Sequence, residues 1–285
     1  MLTETTDHTT EDLAYLKHGE IPLMLRLYRP PGAGPFPFVV DLHGGAWTRG
    51  ELAECGPRDE VLAGAGLAVA ALDFRHAGDG YPSSLVDINY AIRWLKAEAS
   101  TLRLDPGRVG LSGQSSGGHL AMLAAMRPTD PRYAGIPLAG AAASAEVGCV
   151  ATLWPVINPL SRYRHALRRR GSAEPPAWTE TIPERHDLYW RDEETMAEGS
   201  PLLALERGEA VRTPPALWVQ GRPDEIHDYP DPESDLDLNE PERFAARYRE
   251  AGGEIELRYV DQGRRSEASY EPLVAFFRKH LLGEG

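Results

Sequence analysis

The 285-residue chain predicts an α/β fold with a mostly parallel central sheet flanked by helices. Apolar runs of strand length, such as 37–45 and 67–75, alternate with segments of helical periodicity, such as 84–99. A Gly-rich turn joins a short strand to a helix within 108–126. Strands that alternate with helices pair in parallel and are covered on both faces.

The remaining elements follow in order. Residues 239–253 carry a proline in the first turn and glycines after the end, which are helix start and stop signals. A closing helix is predicted for 271–282 because its apolar residues recur at helical spacing. Short apolar or alternating runs predict four further strands, at 21–30, 148–154, 214–221 and 254–260.

One stretch interrupts this rhythm. Residues 156–205 are rich in Arg, Pro, Trp and Glu and have weak periodicity. The interpretation is a cap or lid inserted into a single domain that covers residues 1–285. A single α/β domain of this length is ordinary, and the content of hydrophobic residues (42%) is sufficient for its core.

The composition excludes some classes of protein. A net charge of −13 argues against a nucleic-acid partner, because phosphate binding needs a basic face. The apolar run at 61–72 is too short to span a bilayer, and residues 1–16 lack the apolar core of a signal peptide. A cytoplasmic location is therefore expected. Cys55 and Cys149 form no CxxC pair and are expected to be small buried residues rather than metal or redox groups.

The sequence Gly113-Gln114-Ser115-Ser116-Gly117 fits the pattern G-x-S-x-G. Its position between a strand and a helix is that of a nucleophile elbow, which raises a serine hydroxyl above the edge of the sheet. The N–H of Ser116 then lies at the helix N-terminus, where an oxyanion would form. The alternative is a plain Gly-rich strand–helix turn.

A second motif, His43-Gly44-Gly45-Ala46-Trp47, ends a strand about 70 residues before the elbow. An oxyanion loop is expected there, with backbone N–H groups of Gly44, Gly45 and Ala46 turned toward a substrate carbonyl. His43 is expected to hold this loop by hydrogen bonding. Trp47 is expected to line the substrate pocket, and Trp154 is a second aromatic candidate for that pocket.

Together these motifs show a resemblance. "HGGAW", "DFR" and "GQSSGGHLA", in that order and spacing, resemble the α/β-hydrolase superfamily. Within it, the chain is similar to the small esterases related to hormone-sensitive lipase, to acetyl esterases and to kynurenine formamidases. The resemblance covers most of residues 20–282. It implies an α/β-hydrolase fold, a Ser–acid–His triad, an oxyanion hole and no cofactor, with Ser115 as nucleophile and Asp224 as the acid.

The chain departs from this pattern at the base. The family's histidine follows the last strand, where this sequence reads "YVDQGRRSEASY" and has Arg264 at or beside the expected position. Arginine cannot act as a general base at neutral pH. His227 is the best substitute, because it lies three residues after Asp224 on a neighbouring loop. Asp224, Asp228 or Asp231 could orient it, and a surface histidine is the alternative interpretation.

Other histidines are weaker candidates. His119 points along the elbow helix, His76 could lie at the site rim, and a lid could deliver His165 or His186. The remaining candidates, His8, His18 and His280, lie near the chain ends.

The predicted function is hydrolysis of a small carboxylic ester or simple amide through an acyl-enzyme. A rival interpretation is a degenerate hydrolase that binds a ligand or partner without turnover. In a third, Arg264 and Arg265 hold a carboxylate substrate; a solvated pair of arginines is favoured instead. A homodimer is left open, since no interface signature is present.

Two further features stay undecided by sequence alone. Residues 161–171 hold five arginines, which could recognise an anion or could pair with acidic neighbours such as those in 184–198; pairing is favoured. Trp178, Tyr189 and Trp190 could line a pocket or form the core of the cap.

Overall fold

The computed structural model describes residues 7–138, 140 and 143–284. Its centre is an eight-stranded sheet with the strand order β1-β2-β4-β3-β5-β6-β7-β8. β2 pairs antiparallel with β1 and β4, and the other strands pair in parallel. The strands are β1 Thr9–His18, β2 Ile21–Arg29, β3 Phe36–Leu42, β4 Ala68–Leu72, β5 Leu104–Gln114, β6 Cys149–Leu153, β7 Ala216–Arg222 and β8 Ile255–Asp261.

Helices connect the parallel strands. They are α1 Gly56–Gly64, α2 Ser83–Ala97, α3 Ala99–Leu102, α4 Ser116–Met126, α5 Pro159–Arg170, α6 Ile182–Trp190, α7 Glu193–Glu198, α8 Pro201–Glu206, α9 Glu240–Glu250, α10 Arg265–Ala268 and α11 Tyr270–Phe277. The predicted α/β fold class is confirmed, with one buried apolar cluster on each face of the sheet. β3, β4 and β6 are buried along almost their whole length, as central parallel strands require.

One strand was not predicted. β1 reads TTEDLAYLKH and is mostly exposed, with Tyr15 as its one fully buried residue. It forms by antiparallel pairing with β2 at the edge of the sheet. The sequence signal is weak because this strand is held by its ladder of backbone hydrogen bonds more than by an apolar face.

The strand order creates a site by itself. β3 lies between β4 and β5, so the chain leaves β3 toward one side of the sheet and later returns on the other. Loops that follow β3 and β5 therefore separate at their carboxyl ends and leave a crevice, the usual position of a ligand in such sheets. The two sequence motifs lie immediately after these two strands.

The helices α5 to α8 occupy the stretch that sequence assigned to a cap. Tyr189 and Trp190 of α6 are fully buried and belong to the main core, so this stretch packs on the sheet domain. Trp178 is partly buried, and its indole N–H donates to Glu225 at 2.9 Å. The division into one domain with a cap stays a prediction.

Within the part of the chain that the structure describes, no helix is long and apolar enough to cross a membrane. The expectation of no signal peptide concerns residues 1–16, of which 1–6 lie outside the described residues.

Candidate active site

Ser115 occupies a strained turn between β5 and α4. Its backbone has φ 52° and ψ −120°, which a residue with a side chain rarely adopts. Three backbone hydrogen bonds hold the turn: Ser115 N–H donates to Leu153 O at 2.9 Å, and Ser115 O accepts from His119 at 3.1 Å and Val156 at 3.1 Å. The strain is therefore held by neighbouring elements, as a nucleophile elbow requires.

The glycines on either side of Ser115 are required by close approach. A Cβ on Gly117 would collide with the carbonyl oxygens of Leu42 and His43, and one on Gly113 would collide with the backbone of Gly117. These contacts explain why the elbow needs glycine at both positions. They also press the turn directly against the end of β3.

The loop after β3 turns its backbone toward the elbow. Gly45, Ala46 and Trp47 all have positive φ (112°, 53° and 60°), so three consecutive peptides adopt left-handed conformations. A Cβ on Gly44 would lie 3.4 Å from the Cβ of Ser115, which places the loop beside the serine. Among the described residues, the N–H groups of Gly44, Gly45, Ala46 and Ser116 donate to no other protein group. Such N–H groups are available to an oxyanion.

His43 holds this loop, as expected. Its Nδ1 lies 2.8 Å from Gly44 O, and its ring stacks on Phe74 at 4.4 Å between centroids. Burial lowers the pKa of His43, and the hydrogen bond to Gly44 only partly opposes this. The ring is thus a neutral spacer beneath the loop at pH 7.

His227 lies next to the serine. Its Nε2 is 3.3 Å from Ser115 Oγ, and its Nδ1 is 2.8 Å from Asp224 Oδ2. His227 and Asp224 are both buried, while Ser115 is partly exposed. The structure therefore brings the three residues Ser115, His227 and Asp224 into one chain of hydrogen bonds.

The loop after β7 creates the Asp224–His227 pair locally. Asp224 Oδ1 accepts from the N–H of Ile226 at 3.0 Å, and Asp224 O accepts from the N–H of Asp228 at 2.9 Å. This tight turn brings a side chain three residues later back onto the carboxylate. Gln220 Nε2 donates to Oδ2 of the same carboxylate at 3.2 Å. Asp224, rather than Asp228 or Asp231, orients the imidazole.

The electrostatics of the pair favour a neutral imidazole beside an ionised carboxylate. Burial lowers the pKa of His227 despite the opposing contact with Asp224. For Asp224, burial raises the pKa, but the hydrogen bond with His227 and further contacts outweigh it and lower the pKa to about 2. At neutral pH, Nε2 of His227 is therefore available as a proton acceptor.

The two arginines after β8 behave differently. Arg264 is exposed and pairs with Glu267 at 3.4 Å, as a solvated arginine would. Arg265 is not solvated in this way, so the expectation of a solvated pair is wrong for it. Its Nη1 lies 3.4 Å from Asp224 Oδ2, and its guanidinium stacks over Trp154 at 4.5 Å. A cation has taken the place near Asp224 at which the family pattern predicts a histidine.

None of the other candidate histidines is seen to contact Ser115 within the part of the chain that the structure describes, and His76 lies edge-on to His43 at 6.2 Å between ring centroids. His119 is fully buried, with Nε2 2.8 Å from Gly199 O. His165 stacks on Tyr229 at 3.9 Å between centroids, and His186 contacts Trp47 at 5.0 Å. His18 lies 2.9 Å from Asp87.

The two tryptophan candidates lie at the site but are buried. Trp47 is 1% exposed, and its indole N–H donates to His119 Nδ1 at 3.2 Å. Trp154 is 5% exposed and has a positive φ of 37°. Their role in substrate binding stays a prediction.

Most arginines of helix α5 form ion pairs, which is the interpretation favoured from the sequence. Four of its arginines contact carboxylates in flanking segments: Arg164 with Glu193 and Glu233, Arg168 with Asp231 and Glu233, Arg169 with Glu225, and Arg170 with Glu184. Arg162 is the exception. It is buried, and its Nε and Nη1 have no hydrogen-bond partner.

Sequence reasoning did not assign Gln220, Arg162 or the specific contact of Arg265. None of these residues belongs to a sequence motif, because the contacts of each depend on the direction of its side chain in the folded chain. Over residues 7–138, 140 and 143–284, no group of three or more His, Cys, Asp or Glu side chains is arranged to hold a metal ion.

The fold places the chain in the class of α/β-hydrolases. The chain belongs to the BD-FAE family, whose model matches residues 25–230. This family membership and the fold confirm the resemblance drawn from the motifs.

Curated relatives agree with this placement. The carboxylic ester hydrolase LipN of Mycobacterium tuberculosis is 27% identical over 280 residues, covering 92% of this chain and 68% of its own length. The probable carboxylic ester hydrolase LipM of the same organism is 34% identical over 127 residues, or 43% of this chain. That match spans only 29% of LipM.

Solved structures share the fold. A thermostable carboxylesterase from a metagenomic library, EstE1, has a TM-score of 0.74 at 21% identity and covers 98% of this chain and 91% of its own. A hyperthermophilic esterase from Pyrobaculum calidifontis has a TM-score of 0.72 at 21% identity, covering 95% of this chain and 86% of its own. At this identity the likeness supports the fold.

Proposed function

We propose that the protein is a serine hydrolase that cleaves a small carboxylic ester, or a simple amide, through an acyl-enzyme. The observation that carries this is the chain of contacts from Ser115 Oγ to His227 Nε2 (3.3 Å) and from His227 Nδ1 to Asp224 Oδ2 (2.8 Å). The ester hydrolases among its relatives support the reaction class.

The steps follow from these contacts. Ser115 Oγ attacks the carbonyl carbon while His227 Nε2 accepts its proton. The oxyanion receives hydrogen bonds from backbone N–H groups of Gly45, Ala46 and Ser116, with Gly44 positioning the loop. The intermediate collapses, and the alcohol leaves with the proton from His227.

Water then completes the cycle. His227 accepts a proton from a water molecule, whose oxygen attacks the acyl carbon, and the carboxylic acid leaves as Ser115 recovers its proton. Asp224 accepts a hydrogen bond from the Nδ1–H of His227 and stabilises the imidazolium. The base thus comes from the loop after β7 rather than from the loop after β8.

The non-catalytic alternative has less support. A degenerate hydrolase has no reason to keep a strained serine, an oriented imidazole and four unpaired N–H groups together. The cytoplasmic location and the homodimer remain predictions.

A fluorophosphonate probe and 4-nitrophenyl butyrate test the proposal together. The parent protein should be labelled at Ser115 and should hydrolyse the ester. Ser115→Ala should abolish labelling, and both Ser115→Ala and His227→Ala should lower kcat by about 10⁴- to 10⁶-fold, because a triad fails as a unit.

His280→Ala is the matched control, since this histidine lies on the last turn of the chain and packs on Phe276. It should keep full activity. Unlabelled Ser115 in the folded parent, or a His227→Ala variant with parental activity, would reject this mechanism.

A further inference from the structure

Three arginines of this acidic chain form no ion pair with any residue that the structure describes. The chain has 43 acidic and 30 basic residues, so carboxylates are plentiful. Among the described residues, the side chains of Arg49, Arg162 and Arg185 nevertheless form no hydrogen bond or ion pair. Every other described arginine side chain has a polar partner. All three unpaired cations belong to segments that surround the candidate site.

Arg162 is the innermost of the three. It is 4% exposed, and it lines a cavity together with His227, Ile226 and Tyr229. Burial of an uncompensated guanidinium is costly. The four other arginines of α5 form ion pairs, so carboxylates are within reach of this helix. The absence of such a partner for Arg162 therefore needs an explanation.

Glu240 lines the same cavity but does not neutralise Arg162. No ion pair joins the two side chains; Glu240 pairs instead with Arg243, whose Nη1 lies 3.5 Å from Glu240 Oε1. Burial raises the pKa of Glu240 to about 7, so a large share of its carboxyl is protonated at neutral pH. Among the described residues, Asp224 is the one carboxylate whose charge acts on Arg162, and it forms no ion pair with Arg162 because it already contacts His227 and Arg265.

Arg185 and Arg49 are the other two unpaired arginines. Arg185 lies on α6, directly before His186, whose ring contacts Trp47 at 5.0 Å. Arg49 lies in the oxyanion loop, and its Cγ is 3.1 Å from where a Cβ of Gly45 would be. Arg162 is buried, Arg185 is partly buried and Arg49 is exposed, so exposure increases from the first to the third.

Arg185 is close enough to repel both Arg162 and Arg49. Burial lowers the pKa of Arg162 to about 10; Tyr229 and Asp224 oppose this shift, and the charge of Arg185 adds to it. Burial likewise lowers the pKa of Arg185, with a further contribution from Arg49. Arginine side chains are cationic at neutral pH, so an anion placed beside these guanidinium groups would relieve the repulsion.

We propose that Arg162, Arg185 and Arg49 bind a carboxylate of the substrate, so that the enzyme prefers esters that carry a free carboxylate. This inference rests on the proposed function. Guanidinium groups bind carboxylates through paired, charge-assisted hydrogen bonds from Nε and Nη2 or from Nη1 and Nη2. Nε and Nη1 of Arg162, one on each of these edges, have no hydrogen-bond partner. The reacting ester then lies between Ser115 and the oxyanion loop.

Binding requires movement of α5 and α6. The cavity beside Arg162 measures about 10 Å³, which is room for about one water molecule. A carboxylate that contacts Arg162 therefore displaces these helices outward, or enters as they open.

The test compares esters that differ only in charge. One pair is mono-4-nitrophenyl glutarate and its neutral methyl ester, with the carboxylate on the acyl side. The other pair is 4-acetoxybenzoate and methyl 4-acetoxybenzoate, with the carboxylate on the alcohol side. After correction for uncatalysed rates, kcat/KM should be at least about 10-fold higher for the charged member of one pair, and the pair that responds identifies the side.

Variants assign the preference to the arginines. Arg162→Gln and Arg185→Gln should each reduce the ratio of charged to neutral kcat/KM by about 10- to 100-fold. Arg168→Gln removes an equal charge from the exposed face of α5 and should keep the ratio. Glu240→Gln should also keep it; if Glu240→Gln abolished the preference as Arg162→Gln does, Arg162 would serve Glu240 and the inference would fail.

A binding measurement separates this inference from the proposed function. Glutarate titrated calorimetrically into the Ser115→Ala variant should bind, and Arg162→Gln in that background should weaken it by about 10- to 100-fold. Neutral-ester hydrolysis without charge preference and without glutarate binding would overturn the inference and leave the esterase proposal standing. Glutarate binding without any turnover would sustain the site and reject the esterase.

Discussion

At the scale of the residue, the acid and the base are neighbours along the chain. Asp224 and His227 face each other across a turn closed by the N–H of Ile226. Their relative geometry therefore depends on four residues rather than on the packing of two separate loops. Arg265 then fills space beside Asp224 that the histidine of the family pattern would need.

This environment predicts that the pH dependence of kcat/KM has its midpoint below the ordinary pKa of histidine. Burial and the charges of Arg162 and Arg265 lower the pKa of His227 below its ordinary value of 6.5, while Asp224 opposes the shift. The imidazole acts as a base only when neutral, so kcat/KM for a neutral ester should be level at pH 7 and fall as the pH drops through the His227 pKa. The measurement is kcat/KM for 4-nitrophenyl butyrate between pH 4 and 9. A midpoint above 6.5 would contradict the burial argument.

At the scale of the element, one buried arginine joins three pieces of the scaffold. Arg58 of α1 donates to Asp41 of β3 at 2.7 Å and to Gln114 of β5 at 2.8 Å. Both Arg58 and Asp41 are buried. Gln114 directly precedes Ser115, so the contact ties the elbow to the neighbouring strand and helix.

Loss of this contact should be costly. Arg58→Met leaves Asp41 buried without a cation, and we expect a loss of about 3–5 kcal/mol in the free energy of unfolding. Arg26→Met is the matched control, because Arg26 pairs with Asp12 at the surface and should contribute about 1 kcal/mol or less. Urea unfolding of both variants is the measurement. Equal losses in the free energy of unfolding would show that the buried contacts of Arg58 stabilise the fold no more than a surface ion pair does.

At the scale of the whole molecule, stability should depend on the ionisation of Glu240. Its pKa is raised from 4.5 to about 7 in the folded state. Between these values the folded chain holds a proton that the unfolded chain has released, so stability decreases as the pH rises from 4.5 through 7. The cost is full above pH 7.

Glu240→Gln removes this cost because an amide does not ionise. The variant should be more stable than the parent at pH 8, and the advantage should shrink toward pH 5. Thermal unfolding at both pH values measures it, with the exposed Glu267→Gln as control for net charge. An advantage that does not change with pH would refute the assignment to Glu240.

Much of the fold was predictable because its signals are local. The parallel strands appear as apolar runs, and α9 has proline and glycine at its ends. β1 escaped notice because its residues are polar and its stability comes from pairing with β2. Ser115 and the oxyanion glycines stood out because strained backbone and close packing demand particular residue types.

The parallel strands, the elbow and the adjacency of Asp224 to His227 could be read from the sequence alone, since these depend on short stretches of chain. Only the tertiary structure decided that His227 reaches Ser115, that Arg265 contacts Asp224 and that Arg162 turns inward without a partner. A long side chain on a helix or loop can face solvent, a carboxylate or a cavity with the same local sequence. Its direction is set by the packing of residues far away along the chain, and that packing carries no local pattern.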